Sequence, residues 1–314
     1  MAAGINKEEL HMGDYHVLKI GSATIGGPLG ATTGLVVGSI FYDKHSLVRE
    51  PFTGEFDEAR AALLVDRVNR LNKQYGVQMA FDVIAASPEA MQRFLEFVGA
   101  RTSLPLLINA TEAEVRMAGL EAAAKLGILA RAVYASLNED TQDRELELLG
   151  RYRPAAVMIL ASDIGDPTPE GSCAMIENYY QPMLKEIGVT APIVDLGTMD
   201  PPSIGLNLRQ IKAVRERFGY PAGCAFSNCY PQWASLNRLG REWVNLSLAT
   251  ALVACRAAGG DYLHYGIIEK AAMAAHVAAT AEVFYGFAAQ ELDGHKLPEG
   301  HALWQMFKLP EVIE

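Results

Sequence analysis

Cysteine is scarce in this sequence and poorly placed for its usual structural roles. The four present, Cys173, Cys224, Cys229 and Cys255, form no CxxC pair and no H-x-C spacing. That argues against a zinc ribbon, a thiol-activating zinc site and a disulfide scaffold, and the four read as reduced, buried thiols. Long apolar runs are missing too. No stretch reaches the ~20 residues that span a bilayer, and the opening MAAGINKEELHMGDYH lacks the apolar centre of a signal peptide. The expected location is the cytoplasm, with no membrane partner. Basic residues are outnumbered, 27 Lys and Arg against 37 Asp and Glu, for a formal charge of −10. Such a chain is poorly suited to displacing counterions from a phosphate backbone, so a protein or small-molecule partner is expected rather than nucleic acid. Nor does any Gly/Ser-rich linker divide the 314 residues into separate domains.

What is present is a repeated alternation. Half of the residues are hydrophobic, enough for a sizeable core. Short β-rich apolar runs recur: LVVGSIFY from Leu35, VQMAFDVIA from Val77, LPLLINA from Leu104, RAVYASL from Arg131, AAVMILAS from Ala155, APIVDLG from Ala191, PAGCAFSN from Pro221 and DYLHYG from Asp261. Each is followed by a longer stretch with helical spacing, the pattern of parallel β/α units. Helix starts are marked by Ser87-Pro88, by Thr111 with Glu114 as a capping box, and by Pro201-Pro202; Gly76, Gly127, Gly188 and Gly219 fit helix stops before the next strand. Eight units without a Gly-rich phosphate turn after the first strand predict an α/β TIM (β/α)8 barrel rather than an open doubly wound sheet. The chain is thus expected to be a single domain, 1–314, with 14–30 forming a hairpin that closes the barrel bottom. The Ala-rich segment Ala271 to Leu292 suits a last barrel helix or a dimer contact.

In this fold the chemistry sits where strands end. Reading each run to its end gives Asp43, Asp82, Asn109, Ser136 with Asn138, Asp163, Asp195, Asn228 and His264. The set is dominated by carboxylates and carboxamides, with no strand-end lysine for a Schiff base and no histidine cluster for a metal. Such groups suit fixed-geometry hydrogen bonding to a flat heterocycle. A pterin offers adjacent N3–H and 2-amino donors to a bidentate carboxylate, and an acceptor–donor edge to an amide. Plainer readings stand beside these. Asp195 in VDLG could be a structural aspartate, Asn228 in AFSNC could cap a turn, and Asn109 could serve packing. Asp82 and Asp163 are evenly placed between the two. Ser136, Asn138 and His264 fit ordinary loop positions, Ser136 being kept among the pterin-binding candidates. Lys44 and His45 could anchor a carboxylate tail or only solvate a loop.

The stretches LVVGSIFYDKHSLV, SPEAM, INATEAEVRMA, RAVYASLN and SDIGDPT resemble the H-subunit family of tetrahydromethanopterin S-methyltransferase. They also resemble its bacterial relatives, the methylcorrinoid:tetrahydrofolate methyltransferases of glycine-betaine-type demethylation. The similarity runs from about Gly34 to Gly266. IVDLG and AFSNC look like the pterin-contacting strand ends of corrinoid iron–sulfur protein methyltransferase and of the folate module of methionine synthase. The resemblance implies that Asp195 binds the 2-amino/N3 edge of the pterin, that Asn228 is the catalytic residue near N5, and that Asn109 faces the opposite edge. The chain departs from the family pattern at Asn109, where relatives carry Asp, and at Ala135, where several carry Asn.

The resemblance also implies the reaction. N5 of a bound tetrahydropterin, tetrahydrofolate by this resemblance, attacks the methyl of a methyl-Co(III) corrinoid, leaving Co(I), the N5-methyl pterin and the proton released from N5. Alignment and electrostatics carry such an in-line transfer. The corrinoid (cobalamin) is expected on a partner protein, because this chain lacks the D-x-H-x-x-G corrinoid motif: Asp14-Tyr15-His16 is followed by Lys19 where the glycine belongs. No metal is expected on this chain, and a homodimer is expected by analogy. Three alternatives remain: a dihydropteroate synthase, whose anion site wants basic loops; a thiol methyltransferase, which wants H-x-C zinc ligands; and a non-catalytic subunit that docks a corrinoid protein.

Overall fold

The computed structural model describes residues 15–308, so Asp14, where the expected hairpin begins, lies outside the described residues. Each of the eight apolar runs forms one strand of the barrel. The strands are β1 (Leu35–Ile40), β2 (Gln78–Ile84), β3 (Leu106–Asn109), β4 (Ala132–Leu137), β5 (Ala156–Leu160), β6 (Ile193–Asp195), β7 (Ala222–Cys224) and β8 (Tyr262–Ile267). All pair in parallel around a closed barrel, with β8 hydrogen-bonded to β1 and β5 to β6. Runs buried on both faces suit this arrangement, because one face fills the barrel and the other takes the helices.

The main outer helices are α1 (Glu58–Tyr75), α2 (Pro88–Arg101), α3 (Ala113–Lys125), α4 (Asp143–Tyr152), α5 (Pro169–Met175), α6 (Ile204–Phe218), α7 (Arg241–Ala257) and α8 (Ala271–Asp293). The α5 segment runs on through a π turn, Ile176–Tyr180, into Gln181–Glu186. Ser87 caps α2 by accepting from the Ala90 amide, with Pro88 in the first turn, where its missing N–H costs nothing. Gly76 and Gly219 end α1 and α6 at φ 63° and 65°. The capping box expected at Thr111 does not form: α3 starts one residue later, with Glu112 at the cap and no side-chain bond. The Thr111 carbonyl instead accepts from the Arg116 guanidinium, so a tertiary contact overrides the local signal. Also outside the expected pattern is a short antiparallel ribbon after β1, Val48–Glu50 with Glu55–Phe56.

Two apolar layers result. One lies inside the barrel, where Leu35, Val37, Ala80, Leu107, Val133 and Ile193 meet Ile20, Ala23 and Ile25 of an antiparallel hairpin, Val17–Ile20 with Ala23–Gly26. The other lies between strands and helices. The hairpin joins the ends where strands begin. His16 N donates to Gly219 O (2.9 Å) and Gly21 N to Ala130 O (2.8 Å), and Gln78 Nε2 donates to Thr24 O (2.7 Å). The opposite end, where strands finish, is left as the mouth.

At the closed end a buried ionic cluster joins α6, α7 and α8 to the start of β8. Arg256 Nε meets Glu282 Oε1 at 2.7 Å and its Nη1 meets Asp261 Oδ1 at 3.2 Å, while Arg215 Nη1 meets Asp261 Oδ2 at 2.7 Å. Glu282 Oε1 also accepts from the Gly34 amide at 2.9 Å, immediately before β1. Two guanidiniums against two carboxylates leave no net charge in the interior, which is the condition for burying ions at tolerable cost. Replacing Glu282 by Ala leaves Arg256 with one carboxylate partner fewer and is expected to lower stability by ~3–5 kcal/mol. Urea unfolding checks this, and an unchanged midpoint would mean that the cluster is not holding the seam.

Candidate active site at the barrel mouth

The strand ends β1, β2, β3 and β8 converge on one hydrogen-bonded cluster. Asp82, on β2 and 1% exposed, receives Ser39 Oγ (2.7 Å) and His264 Nε2 (3.2 Å) on Oδ2, and Asn109 Nδ2 (2.8 Å) on Oδ1. Ser39 Oγ also lies 3.1 Å from His264 Nε2. A carboxylate this deep is tolerated because hydrogen bonds replace its water.

The histidine's tautomer follows from the backbone. The β8–β1 register shifts between His264 and Gly266, and Gly266 sits at φ 87°, a conformation that favours glycine. The Gly266 N–H thereby turns back and donates to His264 Nδ1 at 3.2 Å. With Nδ1 accepting, the tautomer of the neutral ring is the one with its proton on Nε2, facing Asp82. His264 is therefore a buried strand residue of the cluster rather than the ordinary loop residue expected. The same logic orients Asn109: its amide nitrogen faces Asp82, which leaves Oδ1 as the outward acceptor.

Asp195 stands at the end of β6 and keeps a partly exposed edge. Its Oδ1 accepts from the Gly197 amide at 2.9 Å, and Oδ2 has no bond to the described residues. Burial pushes its pKa up to about 6, the Gly197 amide and nearby His264 hold it back, and the charge of Asp82 adds a further upward push. A carboxylate that is costly to ionise and keeps one oxygen unengaged is poised to take a donor pair.

Asn228 lies in the 3-10 turn Phe226–Asn228 after β7, exposed, and forms no side-chain hydrogen bond among the described residues. It lines a cavity of about 780 Å³ together with Ser39, Tyr42, Ser227, Tyr230, Asn237 and Lys270. The volume falls within the usual range for small-molecule sites.

The remaining candidates lie outside this bonded cluster. Asp163 Oδ1 accepts from Gly165 N (2.7 Å) within its own loop. Ser136, on β4, follows a cis Ala135–Ser136 peptide bond. Asn138 Oδ1 accepts from the Asp140 amide in a local turn. Asp43 and Lys44 pair with each other in solvent at 3.6 Å. His45 is buried, accepting from Phe41 N (2.9 Å) and meeting Glu269 Oε1 (3.0 Å), so it ties the β1 loop to the segment after β8. All four cysteines are buried and free. Sequence reasoning missed Ser39 and Lys270. Ser39 was legible as the single hydroxyl inside LVVGSIFY that is not at its edge, whereas Lys270 falls between the DYLHYG run and the Ala-rich segment from Ala271, where no strand-end signal marks it.

Comparison with known proteins fits this architecture. The chain is 30% identical over 302 residues to the H subunit of tetrahydromethanopterin S-methyltransferase from Methanothermobacter marburgensis, covering 92% of this chain and 97% of that protein. It is 28% identical over 292 residues to the protein of the same name from Methanosarcina mazei, covering 88% and 92%. Among solved structures it shares its fold with dihydropteroate synthase from Xanthomonas albilineans (TM-score 0.59, 15% identity, 88% of this chain and 98% of that one). The enzyme from Thermus thermophilus is similar (TM-score 0.58, 17% identity, 86% and 100%). Residues 14–295 match the family model described as tetrahydromethanopterin S-methyltransferase MtrH subunit, and the chain belongs to that family.

Proposed function

We propose that this chain is the pterin-binding half of a corrinoid-dependent methyltransferase, moving a methyl group between a cobalt corrinoid held by a partner protein and N5 of a tetrahydropterin. The observation that carries this reading is the set of unengaged polar edges around one barrel mouth: Asp195 Oδ2, Asn109 Oδ1 and the Asn228 amide. A carboxylate and two carboxamides fit a flat heterocycle whose donors and acceptors alternate around its rim. The membership of the MtrH family and the names of its curated relatives support the reaction class. We further propose tetrahydrofolate as the pterin, in keeping with the resemblance to bacterial demethylation enzymes; the relatives compared above are named for tetrahydromethanopterin. No helix among the described residues is long and apolar enough to cross a membrane. As a separate proposal, carried over from the sequence, we place the reaction in the cytoplasm.

In this reading each residue has a bounded role. Asp195, ionised, takes the N3–H and 2-amino pair. Asn109 faces the opposite edge, and Asp82 with His264 and Ser39 holds it there rather than meeting the substrate through oxygens already engaged. Asn228 bonds near N5. With both substrates bound, the methyl group travels in line between cobalt and N5, and alignment supplies most of the rate. Asp163 and Ser136 are assigned to the outer rim of the pterin site.

Anaerobic incubation of the protein with methylcobalamin and tetrahydrofolate tests the reading, with 5-methyltetrahydrofolate and a cobalt absorbance change expected. Tight pterin binding without turnover would point to a missing corrinoid protein; neither binding nor turnover would sink the proposal. Asp195→Ala should abolish measurable pterin binding while the circular dichroism spectrum stays unchanged, and unchanged affinity by calorimetry would remove Asp195 from the site. Because the bound form needs the carboxylate ionised, affinity should be full well above pH 6, about half at pH 6, and fall towards tenfold per unit below it; a flat profile down to pH 5 would contradict this. Asn228→Ala should slow transfer on the order of tenfold or more while pterin affinity changes little, since its bond matters at the reacting nitrogen. Equal losses in both would count against that role.

A further inference from the structure

The mouth cavity has an electrostatic asymmetry that the roles above do not use. Among the described residues its lining includes phenols, hydroxyls and amides from Tyr42, Ser227, Tyr230, Asn228 and Asn237, one ammonium from Lys270, and no carboxylate. This is unexpected in a chain of formal charge −10. The carboxylate next in sequence, Glu269, turns to the β1 loop and pairs with His45 at 3.0 Å. Lys270 itself makes no ion pair or side-chain hydrogen bond among the described residues, and burial lowers its pKa from the ordinary lysine value. An ammonium held partly out of water without a partner lacks compensation for its lost hydration, and an arriving anion supplies it.

The chemistry of the substrate says where such an anion would come from. In a 6-substituted tetrahydropterin the side chain leaves C6, the atom bonded to N5. If Asn228 stands at N5, the side chain emerges on the same side, into the cavity whose wall includes both Asn228 and Lys270. From this placement we infer that Lys270 is an anion subsite for the pterin's tail, binding the carboxylate carried at the far end of its aromatic amide chain. The inference rests on the pterin reading given above. Asn237, held by its Nδ2 bonds to Tyr230 O (3.0 Å) and Pro231 O (3.2 Å), leaves its Oδ1 to steady the tail's amide N–H. Lys270 then discriminates tailed from tailless pterins without touching the reacting atoms.

Anaerobic calorimetry with two ligands tests this: tetrahydrofolate, and 6-methyltetrahydropterin, which has the same reduced head and no tail. Lys270→Met should weaken tetrahydrofolate roughly tenfold, the loss of one charge-assisted bond, and leave 6-methyltetrahydropterin unchanged. Lys270→Arg should restore most of the difference. Equal weakening of both ligands would overturn the inference, because it would place the effect on the head or the fold. So would unchanged tetrahydrofolate affinity alongside a raised KM for methylcobalamin, which would assign the ammonium to the other substrate. Failure of both pterins to bind the unaltered protein would instead bring down the pterin reading itself, and this subsite with it.

Discussion

Everything at the mouth depends on the seam where β8 closes onto β1. These strands stand near opposite ends of the chain, yet their pairing sets His264 Nε2 3.1 Å from Ser39 Oγ. Gly38 makes the close approach possible on the outer face, since a Cβ there would fall 2.1 Å from the Tyr265 hydroxyl. The seam is secured twice. At the closed end Glu282 ties the amide before β1 to Arg256, and Asp261 before β8 pairs with Arg256 and Arg215. At the open end Ser39, Asp82 and His264 form the polar cluster. Opening the seam would separate the cluster's members and expose both rows of strand hydrogen bonds at once.

The two carboxylates of the mouth show how one fold assigns different work to similar groups. Asp82 is compensated by three donors from three strands and serves the wall. Asp195 has one backbone donor, feels the charge of Asp82, and ionises only near pH 6. The difference lies in hydrogen-bond supply rather than residue type. Internal bonds fix the geometry of this mouth, while Asp195 Oδ2 and Asn109 Oδ1 keep edges without a bond to the described residues, which is the arrangement the proposed positional catalysis needs.

The barrel was legible because its signal is local and repeated. Each run from LVVGSIFY to DYLHYG is short, apolar and bounded by turn or helix signals, and each became a strand. Capping was legible at Ser87, where the bond spans three residues, and failed at Thr111, where Arg116 took the carbonyl. The site was legible in part. Position at a strand end raised Asp82, Asn109, Asp195, Asn228 and His264 as candidates, but residue type and spacing say nothing about which of them share hydrogen bonds.

Residue order alone set the period of the chain, and so the number of strands, the helices between them and the acidic, amide-rich character of their ends, because these follow from neighbours a few residues apart. The partnerships were settled only by folding. The burial of His45 against Glu269, the tautomer of His264 imposed by the positive φ of Gly266, the raised pKa of Asp195 and the meeting of Lys270 with Asn228 in one cavity wall all depend on how the backbone is arranged in space. Hydrogen bonding and desolvation act over a few ångströms, whatever the separation in sequence, and barrel closure sets which groups come within that reach.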